Sequence, residues 1–493
     1  MKITKSDFNN YLSCPEFFWM SKRRPELFNG EVNEDAFAQQ LIEQGYEVEK
    51  WARELISNGK YINTWKQEAI ADTQEAILQG EKILYEAAFE AEDLHVRVDI
   101  LKKTKKGWNI YEVKGSSSKE RTRESHLWDA IFQREVLTRA GIEINKIFLI
   151  ELDSDFIKQG EINPKELLHL TDITKQLESM NEEIRREITL AKKQLRKRKQ
   201  PTSCDCIMLS RKNQCAAFDI FYPDFPDYAV HDLNRIRSSK IQKLNEIDVI
   251  DIADIPNDFP LTDSQRNQIE TFLYDKVVSD KKGIQNHISD LKYPIYFLDY
   301  ETIPGAIPKH DGCKPYQQVP IQYSLHIQRK PGGKYEHQEY LHLDDSSPFE
   351  PMAESLCKHI GSKGSVVVWN KGFERSCNKS IASMCPPYAM RIESINERLY
   401  DLMEIFSKQH YVHADFRGSA SIKMVLPVMC PELNYKGLNI SNGGAACAGW
   451  QEMVFGDMLP KDKKQRELDL LEYCKLDTWA MVRILEEVRT LIE

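Results

Sequence analysis

The sequence predicts an α/β protein in three parts, with two strand-containing domains separated by a mainly helical connector. Three observations support this prediction. Apolar strand patterns that carry acidic residues occur twice, first at 94–114 and again at 296–302. Amphipathic helical patterns follow both, as expected of sheets covered by helices. The length of 493 residues suggests roughly two to four domains.

The composition is that of a globular chain. Hydrophobic residues make up 41% and charged residues 29% of the sequence, enough apolar material for more than one core. No run approaches the about 18 apolar residues of a membrane-spanning helix, and residues 1–7 lack a signal-peptide pattern. We therefore expect a cytoplasmic protein with no membrane partner. The net charge of −9 does not indicate a nucleic-acid binder, but the basic run 192–199 is a local patch of the kind that contacts phosphates.

The first strand pattern is a hairpin with a basic turn. Residues 94–101 and 108–114 read as its two strands, which carry Asp99, Glu112 and Lys114. Glu112 and Lys114 share one face because side chains alternate along a strand. The two carboxylates would hold a divalent metal such as magnesium through hard oxygen ligands. Lys114 would orient the attacking water and stabilise the charge that develops on a phosphate.

This hairpin resembles the core of the PD-(D/E)xK nucleases in their RecB-like form, which have a restriction-endonuclease-like fold. The resemblance implies metal-dependent cleavage of DNA, with Asp99 and Glu112 as metal ligands and Lys114 as a catalytic residue. We assign residues 1–225 to this domain. RecB-like nucleases carry Gln-x-x-x-Tyr on the following helix, and Gln133 matches its first position as a catalytic residue.

Two positions depart from that family or leave a choice. Leu137 stands where the family has tyrosine. The amphipathic helix 45–53 matches the helix that opens the fold, which in the family supplies a further acid or histidine. Glu47 and Glu49 both remain candidates for that role.

Four cysteines flank the N-terminal domain. Cys14 lies in a Cys-Pro-x-x-Phe sequence, and Cys204, Cys206 and Cys215 follow the domain. A disulfide framework is not expected in a long cytosolic chain, whereas four thiolates suit a [4Fe–4S] cluster or a structural zinc. The pattern resembles the iron–sulfur RecB-like nucleases, which include the CRISPR-adaptation nuclease and AddB-type subunits. That resemblance implies a cluster tying the start of the chain to the end of the domain. A structural zinc site and a site without metal remain alternatives to the cluster. The reason is that a single residue separates Cys204 from Cys206, which departs from the usual spacing.

The connector, residues 226–290, shows short helical patterns with capped starts, such as the one at 262–265. This segment is compatible with either a helical connector or a DNA-binding module.

The third part, residues 291–493, contains the second acidic strand. Asp299 and Glu301 are two residues apart in an apolar strand and point to the same face. Two acids on such a strand are costly unless a cation lies between them. Glu374 follows at a strand-to-helix turn, and Tyr473 and Asp477 lie in a late helix. Acids on these elements are what a site with two divalent ions needs.

These motifs resemble the DEDD 3′–5′ exonucleases of the ribonuclease H-like superfamily. Asp299 and Glu301 match the first motif, residues 370–374 the second, and Tyr473 with Asp477 the third. The tyrosine indicates the DEDDy subgroup, in which its hydroxyl orients the attacking water. The resemblance implies Mg²⁺ or Mn²⁺ bound by Asp299, Glu301, residue 374 and Asp477.

The second motif departs from the family, which has aspartate where this chain has Glu374. The extra methylene could shift or weaken one metal. Asp401 is a second candidate acid nearby.

The whole chain resembles bacterial two-nuclease fusions of largely unassigned role. We expect a metal-dependent nuclease that hydrolyses DNA phosphodiester bonds at two sites and processes DNA ends in repair, recombination or defence. One alternative is a single-site nuclease or a non-catalytic scaffold that binds nucleic acid. Another is that the C-terminal domain acts on RNA. A helicase or other protein is a candidate partner.

Overall fold

The computed structural model describes residues 1–28, 36–117 and 123–493. Over these ranges the α/β class is confirmed, with mixed sheets and many helices. None of the helices described is both long and apolar enough to cross a bilayer.

The N-terminal part is one mixed sheet with helices packed on it. Its elements are α1 (Lys5–Ser13), α2 (Pro15–Arg23), α3 (Ala36–Leu55), β1 (Lys60–Tyr61), α4 (Lys66–Leu78), β2 (Ile83–Ala91), β3 (Leu94–Thr104), β4 (Gly107–Ser117), α5 (Glu124–Arg139), β5 (Ile144–Leu152), α6 (Pro164–Leu167), β6 (Leu168–Asp172), α7 (Thr174–Glu178) and α8 (Asn181–Arg196).

This sheet has the strand order β1-β2-β3-β4-β5-β6. β3 and β4 form the antiparallel hairpin expected from the sequence, and β4 then pairs parallel with β5. Ile100 pairs with Tyr111, so the acids at 99 and 112 are carried side by side. One face of the sheet packs against α1, α4, α5 and α8, with Phe8 and Phe132 among the fully buried side chains.

The middle of the chain is mainly helical. Its elements are α9 (Phe218–Phe221), α10 (Ser238–Asn245), α11 (Asp263–Tyr274), β7 (Val278–Ser279) and α12 (Lys281–Ile288). The Thr262 side chain caps α11 by accepting a hydrogen bond from the Gln265 amide.

The C-terminal part is a second mixed sheet between two helical layers. Its elements are β8 (Ile295–Pro304), β9 (Gln318–Gln328), β10 (Tyr335–Leu341), α13 (Phe349–His359), β11 (Ser365–Val368), α14 (Lys371–Met384), α15 (Ala389–Glu397), β12 (Leu399–Asp401), α16 (Glu404–Ser407), β13 (Tyr411–Val412), α17 (Ile422–Met429), α18 (Gly443–Phe455) and α19 (Pro460–Thr490).

Strand β8 is the centre of this sheet, whose order is β10-β9-β8-β11-β12. It runs antiparallel to β9 and parallel to β11. Its even-numbered residues Tyr296 and Leu298 belong to the core with α13, whereas Ile295 and Phe297 belong to the core with α19. Because side chains alternate, the next odd-numbered residues of β8 also face α19.

Helix α3 connects the two sheet-containing parts. It packs on β4 of the first sheet and on α18 of the C-terminal part. Gln40 and Cys447 contact each other through side-chain atoms 3.4 Å apart. Ala306 and Ile307, from the segment after β8, are buried in a core shared with β4 and β5. The two parts therefore share a packed interface.

Candidate functional site

Four carboxylates converge in the C-terminal part. β8 carries Asp299 and Glu301, the first turn of α14 carries Glu374, and α19 carries Asp477. Carboxylate oxygens of Asp299 and Glu301 and the sulfur of Cys474 all lie within 4.8 Å of one another. The charges of Asp477 and Glu374 also act on Asp299, so the strand-to-helix turn and the late helix expected from the sequence bring their acids near those of β8.

Burial sets the electrostatics of this cluster. Glu301, Glu374 and Asp477 are 9%, 3% and 7% exposed. Burial, with a smaller contribution from Asp477, raises the pKa of Glu301 to about 8. Burial likewise raises the pKa of Glu374 to about 8, and Glu374 Oε2 has no hydrogen-bond partner in the part of the chain that the structure describes. Burial and the charges of Asp477 and Glu301 raise the pKa of Asp299 well above its usual value.

These properties fit divalent cations. No salt bridge to any of the four acids occurs within the described ranges. Buried carboxylates that repel one another are stabilised by a cation between them, and hard oxygen ligands suit Mg²⁺ or Mn²⁺. Asp299, Glu301, Glu374 and Asp477 are the residues that would hold such ions.

Two tyrosines and a lysine surround Asp477. Tyr435 donates its hydroxyl to Asp477 Oδ1 at 2.6 Å. Burial raises the pKa of Asp477 to about 6, while hydrogen bonds from Tyr435 and Tyr473 oppose that rise. Lys423 donates to the Ser441 carbonyl at 2.8 Å, and its ammonium lies 5.6 Å and 5.9 Å from the ring centroids of the two tyrosines. Tyr473 therefore lies beside the acids, as its motif predicts.

A cavity opens beside Glu301. Its lining includes Phe373, Gly443 and Cys447. A Cβ on Gly443 would lie 3.6 Å from Glu301 Oε2, so the start of α18 closely approaches the carboxylate. The cavity gives a small molecule access to the Glu301 carboxylate.

Asp401, the second candidate acid, has a different position. Its carboxylate accepts hydrogen bonds from the amides of Lys371 at 3.0 Å and Met403 at 3.1 Å. It therefore fixes the start of α14, which carries Glu374, and influences the cluster through the pKa of Glu374.

The N-terminal hairpin forms a second charged site. Asp99 accepts the Val113 amide at 2.7 Å, and Lys114 Nζ lies 2.9 Å from Glu112 Oε1. Lys114 also pairs with Asp129, and Gln133 donates to the other oxygen of Glu112. The structure therefore brings Lys114 and Gln133 to the Glu112 carboxylate, with Asp99 beside it on the neighbouring strand.

The two acids of this site have opposite pKa shifts. Burial and the Glu112 charge raise the pKa of Asp99 well above its usual value. Burial would raise the pKa of Glu112, but the ammonium groups of Lys5 and Lys114 overcome it and lower that pKa. Among the described residues no cation forms an ion pair with Asp99, whereas two ammonium groups pair with Glu112. A divalent ion held by both carboxylates would compensate the charges of both.

The structure distinguishes Glu47 from Glu49. Burial raises the pKa of Glu49, and charges of the hairpin site, Glu112 and Lys5, also act on it. Glu47 instead lines a groove between α3 and α18 with Lys309. Glu49 is thus the acid of α3 that lies near the N-terminal site.

The four flanking cysteines meet at one point. The sulfurs of Cys14, Cys204, Cys206 and Cys215 all lie within 4.8 Å of one another, with 3.9 Å between those of Cys204 and Cys215. Thiol hydrogen bonds from Cys14 and Cys204 lower the pKa of Cys215 to about 4. Four sulfurs from separate segments fit a metal ion or an iron–sulfur cluster.

Sequence reasoning missed three functional contacts. Lys5 reaches Glu112 from α1, and Tyr435 reaches Asp477 from the segment before α18. Cys474 lies 3.9 Å from the carboxylate of Asp299. The position of Cys474 next to Tyr473 in the third motif was the one available signal; Lys5 and Tyr435 had none.

Comparison with known protein families matches a segment that contains three of the four C-terminal acids. Residues 296–421 match a family model described as a domain of unknown function, DUF2779. This segment contains Asp299, Glu301 and Glu374, but not Tyr435 or Asp477.

The curated relatives are distant and uncharacterized. An uncharacterized protein of Mycoplasma pneumoniae, described as an MG366 homolog, is 28% identical over 251 residues, or 45% of this chain and 36% of that protein. The uncharacterized protein UU173 of Ureaplasma parvum is 27% identical over 227 residues, covering 41% of this chain and 32% of its own length. The uncharacterized protein MG366 of Mycoplasma genitalium is 26% identical over 257 residues, covering 46% and 37%. The chain thus spans about a third of the length of these relatives. No solved structure matches the chain.

Proposed function

We propose that this chain is a metal-dependent nuclease with two active sites, which hydrolyses phosphodiester bonds of DNA. The observation that carries the proposal is the cluster of four carboxylates, formed by the half-buried Asp299 and the buried Glu301, Glu374 and Asp477, without a paired cation among the described residues. Such a cluster is destabilising by itself, and a function that needs divalent ions explains why the fold maintains it.

Sheet topology supports a ribonuclease H-like assignment for residues 291–493. Three neighbouring strands, β10, β9 and β8, are antiparallel, and β11 and β12 then continue parallel to β8. The acids lie on the central strand β8 and on helices at its edge, as the DEDD arrangement requires. The β3–β4 hairpin, followed by α5 and the parallel β5, similarly supports a restriction-endonuclease-like assignment for residues 1–225.

At the C-terminal site the chain supplies ligands and a water-positioning group. Bound Mg²⁺ or Mn²⁺ would activate water and stabilise the attacking and leaving oxygens. Tyr473 would hold the attacking water, and Tyr435 keeps Asp477 ionised by donating to it. The cavity lined by Phe373 and Gly443 would receive the terminal nucleotide. We infer removal of nucleotides from a 3′ end.

At the N-terminal site Asp99 and Glu112 would hold one divalent ion, with Glu49 nearby. Lys114, placed by Glu112 and Asp129, would stabilise charge on the scissile phosphate. Gln133 fixes the second oxygen of Glu112 and so its orientation. We infer cleavage or trimming of DNA by this site.

The cysteine group would join α2 to the segment after α8. The resemblance to iron–sulfur nucleases favours a [4Fe–4S] cluster. The sulfur separation of 3.9 Å matches two ligands of one zinc ion, about 3.8 Å for a tetrahedron with 2.3 Å bonds. A cubane cluster holds its ligand sulfurs farther apart. Anaerobic purification with absorption spectroscopy and iron, sulfide and zinc analysis decides between them.

The proposal is tested with end-labelled single- and double-stranded DNA and RNA. Wild type, Asp99→Ala and Asp299→Ala proteins are purified anaerobically and incubated with Mg²⁺ or Mn²⁺. We expect Asp299→Ala to lose 3′-end trimming and Asp99→Ala to lose a second product pattern. Preferential degradation of RNA by Asp99→Ala would assign RNA to the C-terminal site.

Matched variants on α3 control for general damage. Glu47→Gln should leave both patterns intact, whereas Glu49→Gln, two residues away, should weaken the pattern that Asp99 supports. If wild type leaves every substrate intact under all these conditions, the proposal of an autonomous nuclease is wrong, and a scaffold or partner-dependent role replaces it.

A further inference from the structure

Lys5 lies inside the N-terminal site, although it is far from the hairpin in sequence. Its Nζ lies 2.7 Å from Glu112 Oε1, and Lys114 Nζ lies 2.9 Å from the same oxygen. The charge of Asp99 also acts on Lys5. Two ammonium groups thus converge on one carboxylate oxygen of the proposed metal site.

The two lysines differ in their other partners. Lys114 is also paired with Asp129, which in turn accepts a hydrogen bond from Asn9 at 2.7 Å. Lys5 has Glu112 as its one ion-pair partner among the described residues. Lys114 is therefore anchored by Asp129 as well, whereas the ion pair of Lys5 is with a carboxylate that would bind metal.

The position of Lys5 is built into the fold. It is the first residue of α1, whose start is fixed by a capping box between Thr4 and Asp7. Lys22 pairs with Asp7 at 2.8 Å, and Phe8 is fully buried one turn further along. Cys14 ends the same helix and begins α2. A lysine at this position reaches the hairpin because its helix is held at both ends.

We propose that Lys5 is an internal counter-ion of Glu112 at the divalent-cation site, and that metal binding by Asp99 and Glu112 displaces its ammonium group. This inference rests on the proposed metal-dependent function of the N-terminal site. Without metal, two buried carboxylates would repel each other and favour protonation or rearrangement. A tethered ammonium group keeps the site formed, and a divalent ion with its higher charge replaces it.

Competition of this kind lowers the apparent metal affinity. The site accepts metal only in the fraction of molecules whose ammonium group has left, so the apparent Kd equals the intrinsic Kd divided by that fraction. Removing the Lys5 ammonium should therefore tighten metal binding more than removing an equally charged group that Asp129 also anchors.

The first test is a Mn²⁺ titration followed by electron paramagnetic resonance. The full-length chain carries Asp299→Asn and Asp477→Asn throughout, so that the N-terminal site dominates binding. We expect Lys5→Met to lower the Kd by about tenfold or more and Lys114→Met to lower it less. Lys2→Met, which removes a surface partner of Glu90, should not change it. A Kd for Lys5→Met that is unchanged, higher, or equal to that of Lys114→Met overturns the inference.

A second test uses wild-type protein and so does not depend on folding of a variant. Reductive methylation with mass spectrometry measures the reactivity of each lysine amine in EDTA and in saturating Mg²⁺. Lys5 should be protected in EDTA and react several times faster in Mg²⁺, with exposed Lys2 as the internal reference. Equal Lys5 reactivity in the two conditions shows that metal does not displace it.

Failure of the inference is separable from failure of the proposed function. If Mn²⁺ binds and Glu112→Gln abolishes binding, but Lys5 has no effect, only the counter-ion role is wrong. If Glu112→Gln does not affect binding, the N-terminal metal site itself is wrong, and the inference fails with it.

Discussion

The hydroxyl of Tyr435 donates a hydrogen bond of 2.6 Å to Asp477, which lies 42 residues later in the chain. A donor to the ionised carboxylate favours that form and opposes the burial that raises the pKa of Asp477 to about 6. The tyrosine therefore keeps a proposed metal ligand charged near neutral pH.

Tyr435→Phe should consequently raise the pKa of Asp477. In an Asp99→Ala background, which isolates the C-terminal site, Mn²⁺ affinity and 3′ trimming at pH 6 should fall by about fivefold for a rise of about one pKa unit, because the ionised fraction of Asp477 drops from about one half to about one tenth. Both should approach the unsubstituted values at pH 9, where Asp477 is ionised in either protein. Mn²⁺ titration and trimming rates across pH 5.5–9 measure this shift.

Tyr335→Phe is the matched control, since Tyr335 donates to Glu486 on the same helix α19 but outside the acid cluster. It should not change the pH profile. An equal loss for Tyr435→Phe at pH 6 and pH 9 would mean that the hydroxyl acts through packing and not through the ionisation of Asp477.

The sequence predicts contacts of the C-terminal site between residues that are close along the chain, but not contacts between distant ones. The sequence predicts Asp299 and Glu301 on one face because side chains alternate along a strand, a rule that needs only neighbouring residues. The alternation of β8 between two cores confirms that period. Tyr435 reaches Asp477 from an irregular segment between α17 and α18, where no period connects the two positions.

The N-terminal site shows the same limit. The hairpin and α5 bring Glu112 and Gln133 together through elements that the sequence indicates. Lys5 is 107 residues from Glu112 and enters through the packing of α1, which depends on the whole core. Choosing between Glu47 and Glu49 requires the orientation of α3 between the two parts. That orientation depends on tertiary packing, which local sequence patterns do not specify.

The stability of the metal-free protein should fall as pH rises from about 4.5 to about 8. Burial raises the pKa of Glu301 and Glu374 from 4.5 to about 8 in the folded state. Within that window the unfolded chain has released protons that the folded chain still binds, so the free energy of unfolding decreases with pH. Thermal unfolding in EDTA from pH 5 to pH 8.5 measures the effect.

Added Mn²⁺ should reverse this dependence, because metal binding requires the ionised carboxylates and supplies the missing positive charge. The melting temperature at pH 8 should then rise more on adding Mn²⁺ than at pH 5. The double variant Glu301→Gln with Glu374→Gln is the control, and it should lose most of both effects. A metal-free melting temperature that rises steadily up to pH 8 would contradict the assigned pKa directions.

Cys14→Ser should release the cysteine-bound group and destabilise the N-terminal part. Cys14 accepts a hydrogen bond from the Phe17 amide at 3.3 Å as the cap of α2, and a serine oxygen can keep that cap. The effects of this variant therefore come from the loss of one sulfur ligand and not from the loss of the helix cap. We expect lower metal content and a loss of about 2 kcal/mol or more in unfolding free energy, by metal analysis and calorimetry.

Cys430→Ser serves as the comparison, because Cys430 is equally buried but lies in the C-terminal part among apolar side chains. It should keep the full metal content. Trimming by the C-terminal site should survive in Cys14→Ser at temperatures below the first unfolding transition. Unchanged metal content in Cys14→Ser would remove this residue from the ligand set.

Glu374→Gln should separate the stability of the C-terminal site from its function. Glu374 is 3% exposed, its Oε2 has no hydrogen-bond partner within the described ranges, and its charge adds to the repulsion around Asp299. Glutamine has nearly the same volume without the charge. At pH 8 in EDTA we expect an increase of about 1–2 kcal/mol in unfolding free energy, because a buried charge without a partner is removed. Mn²⁺ affinity should fall at least about tenfold with the loss of an anionic ligand, and 3′ trimming should slow accordingly.

Glu374→Asp restores the residue of the DEDD motif and retains the charge, so it should keep metal binding while gaining no such stability. If Glu374→Gln neither stabilises the metal-free protein nor weakens Mn²⁺ binding, Glu374 is a buried structural acid and the second motif does not take part in the site.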